Sequence, residues 1–500
     1  MPVSPLVRLS APLSVRAPLL VAASVLLAAC AVGPDFKAPA PPAVSGYVPQ
    51  PAATTAATPD VAGGPAQHFE SGADIPGDWW TLFHSAPLDA LIDAALKQNH
   101  DLKAAQAALR VAHETMLAQR GAFLPSVSAN LSASRQRQAG SLAPVPNSNA
   151  FMYNLYTPQL TISYTPDVFG GTRRAAESLA AQEQAARFQM IATWNTLASN
   201  VAVAAIQLAS LQAQVDATRQ LVDANTKMLD ILRYQYEKGY ASRVDLAAQE
   251  SQLAQTQATL PPLEKQLAQQ RDQLAVLTGR FPSQAGGDPI KLDSLHLPEA
   301  LPLSLPSALV QQRPDVRQAQ ANLHAASAEI GVATAARLPN ITLSADTGST
   351  ALEFSKLFTG GTGFWDVAAG ITAPIFEGGT LLHQQRAAKA AYVEASEQYR
   401  STVLAAFQNV ADTLTALDQD AKALQATAKT EQAARLTLDL AQRQFKDGYT
   451  SNLQLLNAEQ SYQQAKLALV QAQANRFADT AALYQALGGG WWHHPDLSKQ

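Results

Sequence analysis

The chain has 500 residues, room for several ordinary domains, and 36 Lys and Arg against 40 Asp and Glu give a net charge of −4. Only 15% of residues are charged and no basic block stands out, which leaves no electrostatic footprint for nucleic acid. Abundant Ala and Gln with 7% aromatics favour long helices over a compact mixed core.

The N-terminus reads as an export signal. Arg8 and Arg16 supply positive charge, and Ala17 to Ala29 forms an apolar run. The run is shorter than the roughly 20 residues needed to span a bilayer. It ends in Leu27-Ala28-Ala29-Cys30, and Cys30 is the single cysteine. Small residues before a Cys are what lipoprotein processing requires, so cleavage before Cys30 and acylation of its thiol are expected. An ordinary signal peptide with a chance Cys is the competing reading. Ala31 to Ile75, rich in Pro, Ala and Thr, reads as an extended tether.

Beyond the tether the chain repeats itself once, about two hundred residues apart, too long a period for a solenoid. Asn99-His100-Asp101-Leu102 matches Arg313-Pro314-Asp315-Val316, and Leu124-Pro125-Ser126-Val127 matches Leu338-Pro339-Asn340-Ile341. Val168-Phe169-Gly170-Gly171-Thr172 matches Ile375-Phe376-Glu377-Gly378-Gly379-Thr380, and Tyr236-Glu237-Lys238-Gly239-Tyr240 matches Phe445-Lys446-Asp447-Gly448-Tyr449. The divisions are a signal peptide (1–29), a lipidated tether (30–75), a first repeat (76–298), a second repeat (299–490) and a polar tail (491–500).

Each repeat reads as a helix, two strands, a very long helix, a Gly turn and a returning helix. Thr172 to Lys238 and Thr380 to Asp447 contain no Pro or Gly, and each would span about 100 Å as unbroken helix. Leu197, Val201, Ala204, Leu208, Leu211 and Val215 step by four and three, as do Val403, Phe407, Val410, Leu414, Leu417, Ala421, Leu424 and Ala428. That spacing is a coiled-coil seam. Gly239 and Gly448 are expected as C-cap turns. Pro261-Pro262 is expected to interrupt the first returning helix, because Pro lacks an N–H and crowds the preceding turn.

In the predicted strands Val127, Leu131 and Ala133 alternate with Ser and Asn. Leu160, Ile162 and Tyr164 do so with Thr and Ser, and Ile341, Leu343 and Ala345 with Thr, Ser and Asp. Trp365, Val367, Ala369 and Ile371 alternate with small or polar residues. This dyad pattern fits barrel strands between lipid and water, or a soluble hairpin on a helix. In lipid only a closed barrel satisfies the backbone, and single-chain barrels begin at about eight strands, so four strands require several copies.

These segments resemble the TolC-like outer-membrane efflux family, in its lipoprotein (NodT-type) branch. The resemblance runs from Cys30 to Trp492 and rests on Val32-Gly33-Pro34-Asp35-Phe36, Trp79-Trp80-Thr81-Leu82-Phe83, Arg313-Pro314-Asp315-Val316-Arg317, Pro374-Ile375-Phe376-Glu377-Gly378-Gly379 and Ala486-Leu487-Gly488-Gly489-Gly490-Trp491. It implies a mainly α chain whose four strands join a shared twelve-strand barrel in a homotrimer. Long antiparallel coiled-coil helices form a periplasmic α-barrel, girdled by a mixed α/β belt. The implied partners are a periplasmic adaptor, an inner-membrane RND-type pump and outer-membrane lipid. The implied site is a periplasmic gate just past the Gly turns; by position, within about three helical turns of Gly239 or Gly448, the candidates are Tyr236, Arg243, Asp245, Phe445, Asn452, Gln454 and Asn457. Gln454 and Asn457 stand where the family often carries acids, which puts a cation-binding ring there in doubt.

No nucleophile stands beside a base, the Gly pairs lack the lysine of a phosphate loop, and the nine His are scattered apart from His493-His494. The sequence predicts an efflux channel subunit that is not an enzyme and holds no cofactor or metal. A type I secretion duct and a non-conducting periplasm-spanning coiled coil are the alternatives.

Overall fold

The computed structural model describes residues 31–50, 52–137, 152–284, 286 and 290–498; the export segment and Cys30 lie outside them. Regular structure begins with β1 (His68–Ser71), α1 (Ala86–Gln98), α2 (His100–Arg120), β2 (Ser126–Arg137), β3 (Met152–Tyr164), α3 (Gly171–Glu237) and α4 (Arg243–Leu277). It continues with β4 (Ala300–Leu303), α5 (Pro306–Gln312), α6 (Pro314–Ala335), β5 (Asn340–Ser349), β6 (Gly363–Thr372), α7 (Thr380–Lys446), α8 (Asn452–Ala486) and α9 (Pro495–Ser498). The helix–strand–strand–helix–helix order therefore occurs twice. The residues fall into two compact units, one of 1–38, 110–184 and 320–398, the other of the remainder.

The first unit contains a four-stranded antiparallel sheet in the order β2-β3-β5-β6. Its register aligns the apolar positions: Val127, Ile162, Ala345 and Val367 form one row across all four strands. The next row, Ser128, Thr161, Asp346 and Asp366, is polar and belongs to the opposite face. Val127, Leu131, Trp365, Val367 and Ile371 are each more than 60% exposed, so these positions of the apolar face have no protein cover among the described residues. β2 and β6 are the free edges of this sheet.

In the second unit the predicted seams are inside. Leu197, Val201, Ala204, Leu211 and Val215 of α3 are buried, as are Val403, Val410, Leu414, Leu417, Ala421 and Leu424 of α7. Leu208, Phe407 and Ala428 are half-buried. Each 67-residue helix packs on its 35-residue return helix, Leu211 and Val215 meeting Leu267, and Leu424 meeting Leu469 and Ala472. Fully burying such a side chain contributes roughly 1.5–3 kcal/mol, well above any difference in helix propensity. One window of α3 is apolar enough to cross a bilayer, but 61% of it is buried in protein.

Both turns are Schellman caps. Tyr240 N–H donates to the Gln235 carbonyl at 2.8 Å and Gly239 N–H to that of Tyr236 at 3.0 Å, with Tyr449 and Gly448 repeating the pattern on Gln444 and Phe445. Gly239 and Gly448 hold φ of 79° and 78°, which side chains with a Cβ rarely adopt.

One expectation is overturned, and two segments are held more firmly than their composition alone indicates. Pro261-Pro262 does not interrupt α4, which is continuous through both. The carbonyls they deprive of donors belong to exposed Gln257 and Ala258, where water serves, while Leu260 and Leu263 hold the turn against α3. The tether is extended but is not loose. Tyr47 donates to the Ser304 carbonyl at 2.8 Å, Ile75 is fully buried, and β1 pairs in parallel with β4. The C-terminal tail is also seated, with Trp491 and Trp492 half-buried. Trp491 Nε1 donates to the Gln312 carbonyl at 2.7 Å and its ring packs on Phe188.

The duplicated motifs account for how each repeat closes. Asn99 caps α2 through Oδ1 and donates through Nδ2 to the Leu277 carbonyl at 3.0 Å, at the end of α4. Arg313 donates to the Ala486 carbonyl at 2.9 Å, at the matching end of α8. Two different donors thus satisfy the same orphan carbonyl position. Trp79 stacks on Tyr484 at 5.2 Å and completes this core.

Candidate functional site: an exposed sheet and two hairpin tips

On its polar face the sheet carries a hydrogen-bonded group. Gln159 Nε2 and Thr161 Oγ1 donate to one oxygen of Asp346 at 2.6 and 2.5 Å, and Asp366 stands directly opposite Asp346. Thr157 and Thr350 are 3.2 Å apart on the same face. One face therefore suits water and the other hydrocarbon.

The helix-joined end of the sheet is held by Val32-Gly33-Pro34-Asp35-Phe36. Val32 N–H donates to the Phe169 carbonyl at 3.0 Å. The buried Arg174 guanidinium donates to the Val32 carbonyl, to Asp35 at 2.7 Å and to Glu177 at 2.7 Å, and its own pKa is raised chiefly by the Asp35 hydrogen bond. Phe36 stacks on His324 at 4.3 Å, and His324 Nε2 lies 2.9 Å from Glu177. Burial would raise the Glu177 carboxyl, but hydrogen bonds from His324 and Arg174 hold it below its ordinary value. Gly33 crosses Gly331 of α6 so closely that a Cβ on Gly33 would stand 2.5 Å from the Gly331 Cα.

At the tips the seven gate candidates separate. Ser242 and Asp245 form a capping box: Asp245 N–H donates to Ser242 Oγ at 3.1 Å, and Ser242 N–H to Asp245 Oδ2 at 3.3 Å. Asp245 therefore already has a local task. The Arg243 guanidinium lies 6.0 Å from the centre of the Tyr236 ring. Asn452, only 4% exposed, donates to the Asp245 carbonyl at 3.2 Å and so ties the second tip to the first; its Oδ1 has no protein partner. Gln454 is engaged locally, accepting from Thr450 Oγ1 at 2.6 Å. Phe445 packs into the Leu438, Ala441, Leu455 and Ala458 cluster, and Asn457 is exposed. The structure brings Asn452 to Asp245 and Arg243 to Tyr236, and it leaves Phe445, Gln454 and Asn457 outside that group.

Four tip residues escaped the sequence reading. Tyr240, Val244, Tyr449 and Leu453 are 84%, 78%, 85% and 66% exposed. They occupy matched positions after the two glycines, and large apolar groups recurring at one offset in a polar turn were the available signal.

The second hairpin carries buried ionisable groups where the first does not. Arg476 is fully buried and donates to the Leu417 carbonyl at 3.0 Å and Thr55 Oγ1 at 3.1 Å. Burial and the adjacent Asp420 carboxyl push Asp479 upward. Aligning the Gly turns puts Leu211 and Leu267 at the positions of Asp420 and Arg476. Likewise Glu250 lies 3.7 Å from Arg233, whereas its counterpart Glu459 faces Gln442 in sequence, is 5% exposed and leaves Oε2 unpartnered. Burial pushes Glu459 up to about 7.

The Outer membrane efflux protein family profile matches residues 91–280 and 305–489, spanning both repeats. The chain belongs to the outer membrane efflux protein family. It is similar to the pyoverdine export outer membrane protein OpmQ of Pseudomonas putida, 32% identical over 416 residues that cover 83% of this chain and 88% of the relative. It is also similar to the antibiotic efflux pump outer membrane protein ArpC of Pseudomonas putida, 31% identical over 479 residues and 95% of each chain. Among solved structures it superposes on the outer-membrane channel OprN with a TM-score of 0.82 and 26% identity, over 92% of this chain and 100% of that one. The open-state MtrE channel of Neisseria gonorrhoeae gives a TM-score of 0.76 and 28% identity, over 92% and 98%. This efflux protein is thus an outer-membrane channel component with the TolC-like fold, and the exposed apolar sheet is its bilayer face.

Glu459 supplies a test of the tip energetics. A carboxyl raised in the folded state favours folding while protonated, and that advantage is lost as pH rises from about 4.5 to about 7. Glu459→Gln should remove this pH dependence, gaining on the order of 2 kcal/mol over the parent at pH 8 and little at pH 5. Thermal unfolding of the detergent-solubilised protein at both pH values checks this. An equal shift at the two values would show that Glu459 ionises freely in the folded protein.

Proposed function

We propose that three copies of this chain close one twelve-stranded barrel and give small molecules a passive exit across the outer membrane, with no catalytic step. The observation that carries this is the open four-stranded sheet: one face apolar and exposed, one polar, and two free edges. Because β2 and β6 run antiparallel, the β6 edge of one copy can extend the β2 edge of the next without a break in the antiparallel pattern. Relatives named for export of pyoverdine, antibiotics and toluene support a small-molecule cargo. A periplasmic adaptor and an inner-membrane RND-type pump complete the assembly, and the exposed Tyr240, Val244, Tyr449 and Leu453 are suited to the adaptor contact.

Lipidation at Cys30 is part of the same proposal. Ala31 lies against Gly170, where a Cβ would come within 2.8 Å of its Cα, just beyond the helix-joined end of β3. The gate is proposed to be held at rest by the Asn452–Asp245 link, with Arg243 on Tyr236 beside it. One such neutral hydrogen bond contributes about 1 kcal/mol, a lock that modest adaptor binding can release.

Three measurements test the proposal. The detergent-solubilised protein should have the mass of three chains, and a stable monomer would end the shared-barrel reading. Cys30→Ser should abolish incorporation of labelled fatty acid; retained label would place the acylation elsewhere. Asn452→Asp keeps the side chain's shape but turns an acceptor toward the Asp245 carbonyl. It should raise the resting conductance in planar bilayers by about fivefold, while His493→Gln should not. Parent-like conductance of Asn452→Asp would locate the gate away from this link.

A further inference from the structure

The loop-joined end of the sheet differs from its apolar middle. Arg135 and Arg137 are the last odd-numbered residues of β2, in register with Asn154 and Met152, and so share the face of Val127 and Leu131. Contacts agree with that assignment: Arg135 Nη2 lies 3.4 Å from Met152 Sδ, while Gln136 and Tyr153 meet on the other face. From Val127 to Arg135 is about 27 Å along the strand, enough to carry a tilted strand to the far edge of the hydrocarbon layer. Both arginines are exposed, and among the described residues neither has a carboxylate partner.

The β5–β6 connection lies beside them. The Ala351 bridge places it on Tyr156, and the Phe354 ring meets Tyr156 edge-on at 5.8 Å. Tyr156 pairs with Ala133, so this contact is on the same apolar face as the arginines. Phe354 and Phe358 are 64% and 79% exposed, and Phe358 holds a φ of 68°, a conformation that disfavours a bulky residue. Lys356 stands between them, with Glu353 as the only acid of the connection; residues 138–151 contain no Asp or Glu. Cations and aromatic rings therefore share one rim next to a lipid-facing surface, where three cations outnumber the single acid, Glu353.

We propose that Arg135, Arg137 and Lys356 bind the phosphate groups of a phosphorylated, multiply acylated glycolipid in the outer leaflet, with Tyr156, Phe354 and Phe358 lying against its acyl chains. The proposal rests on the barrel reading. Guanidinium forks suit phosphate oxygens, and charges at this level avoid the penalty they would meet at the bilayer centre. Glu353 at the rim tempers the positive field without facing the arginines in register.

The test titrates the full detergent-solubilised protein with bisphosphorylated lipid A, with dephosphorylated lipid A and with inorganic pyrophosphate, reading the thermal midpoint. Bisphosphorylated lipid A should raise the midpoint saturably and the other two should not. The triple variant Arg135→Gln, Arg137→Gln, Lys356→Gln should need about tenfold more lipid, and Arg135→Lys with Arg137→Lys, which keeps the charge but loses the guanidinium forks, should fall between that variant and the parent. An unchanged half-saturation in the triple variant, or an equal response to dephosphorylated lipid, overturns the proposal. Saturation by pyrophosphate at similar concentration would make the patch a free-anion site and also overturn it. A change in detergent mass without a change in lipid response would assign the patch to contact between copies. Conductance in glycolipid-free bilayers is measured on parent and variant alike. Its retention shows that barrel and fold are intact, so a lost lipid response then reports on this patch alone.

Discussion

A peptide N–H or C=O facing hydrocarbon finds no water, and that constraint governs the rest of this molecule. A sheet of four strands with two free edges cannot lie in a bilayer by itself. Its apolar face suits lipid, and its edges call for strands that the described residues do not supply. Every other element can be understood as serving an opening through such a sheet. The polar face needs small and hydrated residues, and the strand ends need a firm seat.

The two repeats answer that demand with one plan and different chemistry. In the first hairpin Leu211 and Leu267 close the seam with apolar contact. In the second, Arg476 and Asp420 stand at the same positions, and the N-terminal segment supplies Thr55 to a guanidinium that would otherwise be buried at heavy cost. The part of the tether around Thr55 therefore has a physical reason to stay on the second hairpin. Divergence after duplication has turned a symmetric core into a directional one.

Much of this was legible before any coordinates. The heptad seams, the dyad strands and the glycine turns each depend on a local period, and local periods survive in sequence. The misreading of Pro261-Pro262 has a plain cause. Proline's local penalty is visible in sequence, but the exposure of the carbonyls it frees and the lateral support of α3 are not. The seating of residues 39–75 was hidden for the same reason, since its partners lie hundreds of positions away. Of the gate candidates, Asn452 could be named from its place beside the turn, but not its bond to the Asp245 carbonyl. Glu459 was not singled out, because its burial depends on tertiary packing; in sequence only Gln442, at the position matching Arg233, marks the difference from Glu250.

The crossing of Gly33 over Gly331 reaches into the evolutionary freedom of the chain. A Cβ on Gly331 would sit 2.7 Å from Arg174 Cγ and 2.9 Å from the Val32 carbonyl, and one on Gly33 would strike the Gly331 backbone. No exchange at one position makes room for a side chain at the other, because each collides with main chain. Compensating pairs, the usual route by which packed sites drift, are closed here. Gly331 also weakens helix α6 by about 1 kcal/mol relative to alanine, and the chain tolerates that defect for the sake of the crossing. The joint is thus fixed by the approach of two main chains, beside the side-chain bonds that Arg174 makes across it.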